Sequence, residues 1–186
     1  KPIKGKIKFD DISIDRYDIS WLRRNISFLP QEIELFNLTL RENILINFHN
    51  NQLLEGLISY KDLDGLIMTV VKRANLTNFI NIVPNGLDHV VTNNGRYLPM
   101  GIKKRIGLAR AILSDGKIII FDEPTESLDQ QGKKAVYDIL NDQIKRGKTI
   151  IISSHDPNLI KGAGAIIDLS SKPIPRIGIK KKNKDN

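Results

Sequence analysis

The sequence of 186 residues contains no cysteine, which excludes disulfides, thiolate metal sites and cysteine nucleophiles and suits a reducing compartment. It has no run of about eighteen consecutive apolar residues, so we expect none of its segments to span a bilayer. No repeat with a period of about 20–50 residues is visible, which argues against a repeat architecture. With 40% hydrophobic and 27% charged residues, the composition is that of one ordinary globular domain.

The net charge of +8 is unevenly distributed along the chain. Residues 172–186 hold six lysine or arginine side chains and one aspartate, which leaves a charge of only +3 for residues 1–171. The body of the chain is therefore only mildly basic, which gives little support to nucleic-acid binding. We expect the basic end to be a solvated, disordered tail, and attraction to anionic lipid headgroups is the alternative.

Hydrophobic patterning predicts strands that alternate with helices. The unbroken apolar runs 118–121 and 149–152 are typical of parallel strands covered on both faces, and residues 130–145 predict the crossover helix between them. Further strands are expected at 6–9, 12–14, 26–29 and 165–169, and further helices at 39–47, 61–83 and 102–113. The fold class is therefore α/β, with a mainly helical insertion from about residue 32 to residue 97.

Two carboxylates end the strand predicted over residues 118–121. Asp122 and Glu123 follow it directly, at the carboxyl edge of a parallel sheet, where α/β proteins form their ligand sites. There Asp122 would hold Mg²⁺ through its water shell, and Glu123 would polarise an attacking water. Taken alone, the pair is also compatible with acids that merely cap the next turn.

Five other segments have a recognisable pattern, at residues 28–32, 35–44, 105–113, 125–129 and 153–156. In their order and spacing around Asp122 and Glu123 they resemble motifs of the ABC transporter ATPases. These motifs are, in the same order, the Q-loop, the stretch that follows it in exporters, the helix after the signature motif, the D-loop and the switch-histidine segment. The resemblance covers nearly the whole chain except the tail, and it includes the type I secretion ATPases among exporters.

The resemblance implies a P-loop NTPase (RecA-like) fold with a mainly parallel sheet. Residues 1–31 and 103–171 would form this core, residues 32–102 a helical subdomain, and residues 172–186 the tail. ATP and Mg²⁺ are the implied cofactors. The implied catalytic residues are Glu123 and His155, and the implied metal ligands are Asp122 and Gln31. The residues expected to contact the nucleotide are Gln31, Asp122, Asp129, Leu98 and Gly101.

The glycine-rich loop that holds the nucleotide phosphates in this family is absent from the sequence. Residues 146–149 read Arg-Gly-Lys-Thr, but Asp142 stands where the first glycine is needed. This segment also precedes a predicted strand, whereas the phosphate loop follows one. In the family, residues 1–5 would lie just after the phosphate loop and its helix. We therefore expect a truncated chain in which the N-terminal part of the core is missing.

The signature motif is the second departure from the family. The family carries Leu-Ser-Gly-Gly-Gln before the helix at 105–113, whereas residues 98–102 here read Leu-Pro-Met-Gly-Ile. In the family, the serine and the glycine amides of this motif bind the γ-phosphate of ATP on the opposite subunit. Pro99, at the serine position, supplies neither a hydroxyl nor an N–H. Residues 92–95 likewise replace the Glu-Arg-Gly that meets the membrane domain in exporters.

Together these features predict an ATP-binding and hydrolysing domain that powers export as one half of an asymmetric dimer. The resemblance implies a transmembrane domain fused upstream, a second nucleotide-binding domain arranged head to tail, and no specific nucleic acid. It places the domain at the cytoplasmic face of the plasma (inner) membrane. Two alternatives stay open: a catalytically weak or inactive regulatory domain of the same fold, and a soluble ABC ATPase that acts on nucleic acid.

Overall fold

The computed structural model of the chain describes residue 2 and residues 4–48, 60–170 and 174–179. Contacts between residues divide the chain into two units, Lys1–Ile152 and Ser153–Asn186. The first unit contains most of a three-stranded sheet with its helices, and the second contains a helix and a two-stranded sheet.

A tight hairpin lies near the start of the chain. Strands β1 (Lys8–Phe9) and β2 (Ile12–Ser13) pair antiparallel, and the turn residues Asp10 and Asp11 have positive φ angles of 46° and 63°. Two successive residues with positive φ form the type of turn whose twist matches the flanking strands, and aspartate tolerates that conformation. The two strands expected at 6–9 and 12–14 therefore pair as a hairpin, each over two residues.

The central sheet has the strand order β3-β4-β5. Strand β3 is Ile26–Leu29, β4 is Ile118–Asp122 and β5 is Thr149–Ser153. Strands β3 and β4 are parallel, with Ile26 opposite Ile118 and Leu29 opposite Phe121. Both strands therefore end at the same edge of the sheet, and the predicted α/β class with parallel strands is confirmed.

Among the described residues, helix α1 (Ile19–Asn25) precedes β3, and three α-helices follow it before residue 100: α2 (Leu40–Leu45), α3 (Tyr60–Arg73) and α4 (Thr77–Ile82). Helix α2 begins at a complete capping box, in which Thr39 and Glu42 each bond the other's backbone, as their spacing predicts. The helical pattern predicted over 61–83 is interrupted, because Asn75 adopts a positive φ of 56° between α3 and α4. Asparagine is one of the few residues that take this conformation readily.

Helix α5 (Met100–Leu113) begins two residues before the predicted start at residue 102. It contacts α2, α3 and β3, so it joins the helical segment to the sheet. Ile106, Leu108 and Ala109 are among its buried residues. Gly107 allows the helix to approach its neighbours closely, since a Cβ there would lie 2.5 Å from Ile33 Cδ1.

Helix α6 (Gln130–Lys145) connects β4 to β5 over the residues predicted for the crossover helix. The prediction that both later strands are covered on both faces is wrong for β5, because Ile151 is 52% exposed and alternate positions of that strand face solvent. A run of apolar β-branched residues indicates that a strand is hydrophobic. It does not show whether other elements cover both faces of that strand.

The second unit contains helix α7 (Pro157–Gly162) and the predicted strand β6 (Ala165–Asp168). Strand β6 pairs antiparallel with a further strand, β7 (Arg176–Ile179). The prediction of a disordered tail over 172–186 is therefore wrong for residues 176–179, since backbone pairing with β6 orders them despite the basic composition. Residues 172, 173 and 180–186 of that prediction lie outside the described residues.

The predicted division into a core at 1–31 and 103–171 and a helical subdomain at 32–102 differs from the two contact units, and it stays a prediction. Helix α5 contributes to this difference, because it packs on both helices and sheet within the first unit. In the part of the chain that the structure describes, every helix is too short or too polar to cross a membrane.

Candidate active site

The candidate site lies at the sheet edge where β3 and β4 end together. Gln31 follows β3 by two residues, Asp122 is the last residue of β4, and Glu123 comes directly after it. The Gln31 side chain donates from Nε2 to the Glu126 carboxylate at 3.1 Å. The fold therefore brings Gln31 to the same edge as the acidic pair, as their assignment to one site requires.

A buried lysine holds the two strand ends together. Lys104, on the second turn of α5, is 4% exposed. Its Nζ donates to three backbone carbonyl oxygens: those of Pro30 at 3.3 Å, Gln31 at 3.0 Å and Asp122 at 3.2 Å. Burial lowers the pKa of Lys104, and the neighbouring carboxylates oppose this shift, that of Glu126 most strongly.

The turn after β4 has an unusual backbone. Glu123 has a φ of 42° and Ser127 a φ of 62°, in the left-handed region that residues other than glycine seldom occupy. The Glu126 N–H closes the turn by donating to the Glu123 carbonyl at 3.2 Å. Such strained positions cluster at functional sites, where the surrounding structure holds a side chain in a fixed direction. The backbone of Glu123 is therefore consistent with a functional role for its carboxylate.

Asp129 ends the same turn and bonds both adjoining helices. Its Oδ1 accepts hydrogen bonds from the Gly132 N–H of α6 and from Nη2 of Arg105 on α5, each at 2.7 Å. The Gly132 N–H and then the Arg105 guanidinium lower the pKa of Asp129 below its usual value. The structure thus uses Asp129 as the N-cap of α6 and as the ion-pair partner of Arg105.

The first turn of α5 lies against this turn. Pro99 occupies the N-cap position without a side-chain hydrogen bond, and Met100 is 51% exposed. A Cβ on Gly101 would lie 2.9 Å from the Ser127 carbonyl oxygen, so a larger residue would force a shift there. Leu98, just before the helix, is half-buried. Leu98 and Gly101 therefore lie at the helix start, and Gly101 contacts the turn between β4 and α6.

Arg110, farther along α5, holds the segment that precedes α2. Its guanidinium donates to the Asn43 carbonyl at 2.5 Å, the Glu34 carbonyl at 2.7 Å and the Asn43 side-chain Oδ1 at 3.0 Å. Burial lowers the pKa of Arg110 to about 10. Asn43 is fully buried, and its amide also bonds the backbone of Phe36 and Leu38. One helix therefore anchors both the sheet edge and the segment over residues 34–43.

His155 lies in the second unit, between β5 and α7, and its side chain is exposed. The next residue, Asp156, is the N-cap of α7 and accepts a hydrogen bond from the Asn158 N–H at 2.8 Å. Since His155 and Glu123 belong to different units, the predicted role of His155 beside Glu123 stays a prediction.

Comparison with known proteins decides which family has this arrangement. The sequence profile described as ABC transporter matches residues 1–126, which is more than half of the chain. This chain belongs to the ABC transporter family. The chain is 33% identical to the ABC-type transporter atr1 of Mycosarcoma maydis over 168 residues, which are 90% of this chain and 12% of that protein.

Two further comparisons extend this result. The chain is 32% identical to the multidrug resistance protein pgp-1 of Caenorhabditis elegans, over 95% of this chain and 12% of that protein. It also resembles the structure of a bacterial Atm1-family ABC exporter with ATP bound, with a TM-score of 0.77 and 25% identity over 90% of this chain and 27% of the other. The predicted P-loop NTPase fold class and the resemblance to ABC exporter ATP-binding domains are confirmed. The chain spans about 12% of the length of atr1 and of pgp-1.

The sheet edge has the donor chemistry that the Mg²⁺ of an ABC ATPase requires. Among the described residues, no three histidine, aspartate or glutamate side chains form a metal site by themselves. Mg²⁺ in nucleotide sites, however, keeps several waters and takes one or two protein ligands besides phosphate oxygens. Asp122 supplies a carboxylate and Gln31 an amide at one edge, and both are hard oxygen donors. The residues present therefore fit Mg²⁺.

The phosphate side of an ABC site has no counterpart in this sequence. No segment matches the glycine-rich loop whose backbone amides and lysine hold the β- and γ-phosphates. This sequence therefore contains no counterpart of that loop, whereas Gln31 and Asp122 lie together at the sheet edge.

Sequence reasoning missed two cations of α5, the buried Lys104 and the half-buried Arg110. One signal could have revealed Lys104, because it shares the apolar face of α5 with Leu108 and Ala111 at spacings of four and seven residues. A lysine on the buried face of a helix needs oxygen partners, and in this fold they are backbone carbonyls at the strand ends.

Proposed function

We propose that this chain is the catalytic part of an ATP-hydrolysing domain that drives export through an ABC transporter. The observation that carries the proposal is the convergence of Gln31, Asp122 and Glu123 at one sheet edge in a chain of the ABC transporter family. ATP with Mg²⁺ is the proposed substrate complex, and residues 1–31 with 103–171 are the proposed core around a helical subdomain at 32–102.

Each residue at the edge has a proposed task. Asp122 and Gln31 hold Mg²⁺ through oxygen atoms, and the ion neutralises phosphate charge when it is bound. The Glu123 carboxylate accepts a proton from the water that attacks the γ-phosphate, as a general base. The left-handed backbone of Glu123 supports this role, because it fixes the direction of the side chain.

Further contacts to the nucleotide come from elsewhere in the chain. His155 is proposed to contact the γ-phosphate and to be catalytic together with Glu123. Asp129 in the D-loop, with Leu98 and Gly101 in the signature segment, is proposed to face the nucleotide at the dimer interface. The contact between Gly101 and Ser127 supports a common role for these two segments.

The domain is proposed to act in a head-to-tail pair. Each ATP would lie between the Walker B motif of one subunit, which here comprises strand β4 and Glu123 after it, and the signature segment of the other. This chain keeps Glu123 on its Walker B side, whereas its signature segment has Pro99 and Met100 in place of serine and glycine. The site built on its own carboxylates would then hydrolyse ATP if the partner lends a complete signature. The other site would hold nucleotide with little turnover.

A transmembrane domain is the second proposed partner, which would place the protein at the cytoplasmic face of the plasma (inner) membrane. The matched relatives are named as transporters and an exporter, and each is several times longer than this chain. Phe36, Leu38 and Val90 are exposed apolar side chains on adjoining segments, since the Val91 N–H donates to the Leu38 carbonyl at 2.9 Å. This surface suits an apolar helix end of such a domain.

The alternative function is a catalytically weak regulatory domain on the same fold. One observation favours it: the first turn of α5 combines Pro99 without a cap hydrogen bond and an exposed Met100. A domain of this kind would bind nucleotide and partner but would not depend on Glu123 for its activity.

The substitution Glu123→Gln in the complete transporter tests the proposed function. It removes the base and keeps the shape of the side chain, so we expect ATP turnover to fall at least about 100-fold. Binding of MgATP, measured by equilibrium dialysis, should change less than about threefold, because Asp122 and Gln31 are untouched. The matched control is Glu32→Gln, which makes the same chemical change on an exposed neighbour of Gln31. Turnover at the wild-type rate in Glu123→Gln would remove the assignment of the base.

A further inference from the structure

The buried ammonium of Lys104 occupies an unusual position. Its three hydrogen bonds go to backbone oxygens of two separate strand ends, Pro30 and Gln31 after β3 and Asp122 at the end of β4. These carbonyls lie where the strands leave the sheet, so the strand pairing alone does not hold them at a fixed separation. Lys104 is the group that connects them through a third element, helix α5.

Burying a charged group at this position has a large energetic cost. An ammonium that is taken out of water loses most of its solvation free energy unless hydrogen bonds to the protein replace those to water. A methionine, which matches most of the lysine stem, would fill much of the same space without that cost. The three charge-assisted hydrogen bonds of Lys104 offset the lost solvation. They also fix the positions of both strand ends relative to α5.

We propose that Lys104 is a positioning residue that fixes Gln31 and Asp122 relative to each other and to the signature helix α5. This inference rests on the proposed function, in which Gln31 and Asp122 hold the metal. The inference also has a structural consequence that does not depend on that function. Without the ammonium, the segments after β3 and β4 separate from α5 locally while the rest of the fold persists.

The hydrogen bonds also connect one nucleotide site to the other. In the proposed head-to-tail pair, Gln31 and Asp122 serve the ATP of this chain, whereas the first turn of α5 faces the ATP of the partner. Lys104 and Arg105 are consecutive residues of α5, and they bond the sheet edge and Asp129 respectively. A change at the metal edge would therefore be transmitted to the signature segment through one rigid helix.

Hydrogen exchange of the 186-residue chain tests the structural part of this proposal. Lys104→Met keeps most of the stem and removes the ammonium. We expect amide exchange in peptides covering 28–33 and 120–128 to be at least about tenfold faster than in the wild type. Peptides covering the β1–β2 hairpin and helix α6 should exchange at the wild-type rate. Lys103→Met, at the adjacent and more exposed position, is the matched control and should leave both edge peptides unchanged.

Two results of the exchange experiment would overturn the proposal. Unchanged exchange at the edge in Lys104→Met would show that the ammonium fixes nothing. Uniformly faster exchange over the whole first unit would show that Lys104 supports general stability and has no positioning role.

A second experiment, chemical modification of lysines, uses the wild-type chain and does not depend on a variant that folds. In native reductive methylation with formaldehyde and borane, Lys104 should stay unmodified while Lys103 reacts, and equal reactivity of the two amines would contradict the bonded position.

The complete transporter supplies the readout that a merely structural role would not change. In Lys104→Met we expect the Mg²⁺ concentration that gives half-maximal ATP turnover to rise at least about threefold, with kcat reduced. Nucleotide binding measured without Mg²⁺ should stay at the wild-type level. A loss of ATP binding without Mg²⁺ would contradict positioning of the metal edge. The exchange result does not require turnover, so a failure of the proposed function in Glu123→Gln and a failure of this inference are distinguishable.

Discussion

Two regions on either side of the turn between β4 and α6 differ in how firmly they are held. At the sheet edge, a buried ammonium donates three hydrogen bonds to the ends of β3 and β4. At the start of α5, Pro99 makes no side-chain cap and Met100 is 51% exposed. Helix α5 therefore makes several side-chain hydrogen bonds to the sheet edge from its second turn, whereas its first turn has no side-chain cap.

Changes in the signature segment can therefore coexist with an ordered sheet edge at Gln31 and Asp122. The bonds of Lys104 and Arg110 come from the second and third turns of α5, and they do not involve the residues at 98–102. In the proposed pair these two regions also serve different ATP molecules. An altered first turn would then affect the partner's nucleotide and leave this chain's own edge intact.

The largest expected effect concerns the 186-residue chain by itself. It has the edge residues Gln31, Asp122 and Glu123 but no phosphate loop, so we expect it to bind MgATP more weakly than about 1 mM. Isothermal calorimetry at millimolar ATP measures this, and a steady-state phosphate assay should detect no hydrolysis. Micromolar binding would show that the phosphate site lies elsewhere in the chain. The comparison between the sheet edge and the first turn of α5 would then no longer describe the nucleotide site.

His155 should contribute the next largest effect. In the complete protein, His155→Ala removes a proposed γ-phosphate contact, and we expect ATP turnover to fall about 100-fold. The matched control is His89→Ala, which removes the same side chain from the segment between α4 and α5. An equal, small loss in both variants would exclude His155 from the catalytic edge.

The contact between the two regions can be tested through glycine substitutions in the 186-residue chain. Gly101→Ala places a Cβ 2.9 Å from the Ser127 carbonyl oxygen, so we expect the free energy of unfolding to fall by about 1–3 kcal/mol. Gly65→Ala meets open space on helix α3 and should raise it by up to about 1 kcal/mol. Chemical denaturation measures both variants. An unchanged or increased free energy of unfolding in Gly101→Ala would show that Gly101 is not packed against the turn.

The smallest expected effect lies at the opposite end of α5. Burial raises the pKa of Asp115, but hydrogen bonds from Lys148 and Arg146 outweigh it, and the net pKa lies below the usual 3.8. A carboxyl with a lowered folded pKa contributes stability above 3.8, and that contribution is lost as the pH falls through the folded pKa. Asp115→Asn should therefore lower the denaturation midpoint at pH 7 and have progressively less effect in acid.

Asp138→Asn is the control for this titration. It removes an exposed i,i+4 pair with Lys134, and such surface pairs contribute little to stability. A loss for Asp115→Asn that is independent of pH would show that the charge of Asp115 is not what stabilises the end of α5.

The elements that could be predicted from the sequence are those with local signals. The capping box of Thr39 and Glu42, the turn at Asp10 and Asp11, and the helix over residues 130–145 all follow from neighbouring residues. Local hydrogen bonding and periodicity determine them, so the structure agrees with the prediction.

The features that could not be predicted depend on residues far apart in the chain. Lys104 bonds oxygens 18 and more residues away, and no local pattern indicates which carbonyls it reaches. Strand β7 forms despite its basic surroundings because β6 offers it a partner. The candidate site was partly predictable, since motif order placed Gln31 and Glu123 together, whereas the lysine that holds their segments became visible only in the fold.

The most direct measurement counts the ATP molecules that one dimer hydrolyses in a single turnover. The complete protein, paired with a partner that carries a full signature segment, is loaded with two radiolabelled ATP molecules, triggered with Mg²⁺ and quenched. We expect one of the two to become ADP and the other to remain ATP, because only the site on Glu123 receives a complete signature. Replacing residues 99, 100 and 102 by serine, glycine and glutamine should allow both to react. Hydrolysis of both ATP molecules without that replacement, or rapid turnover by two copies of the unaltered chain, would contradict the asymmetric arrangement.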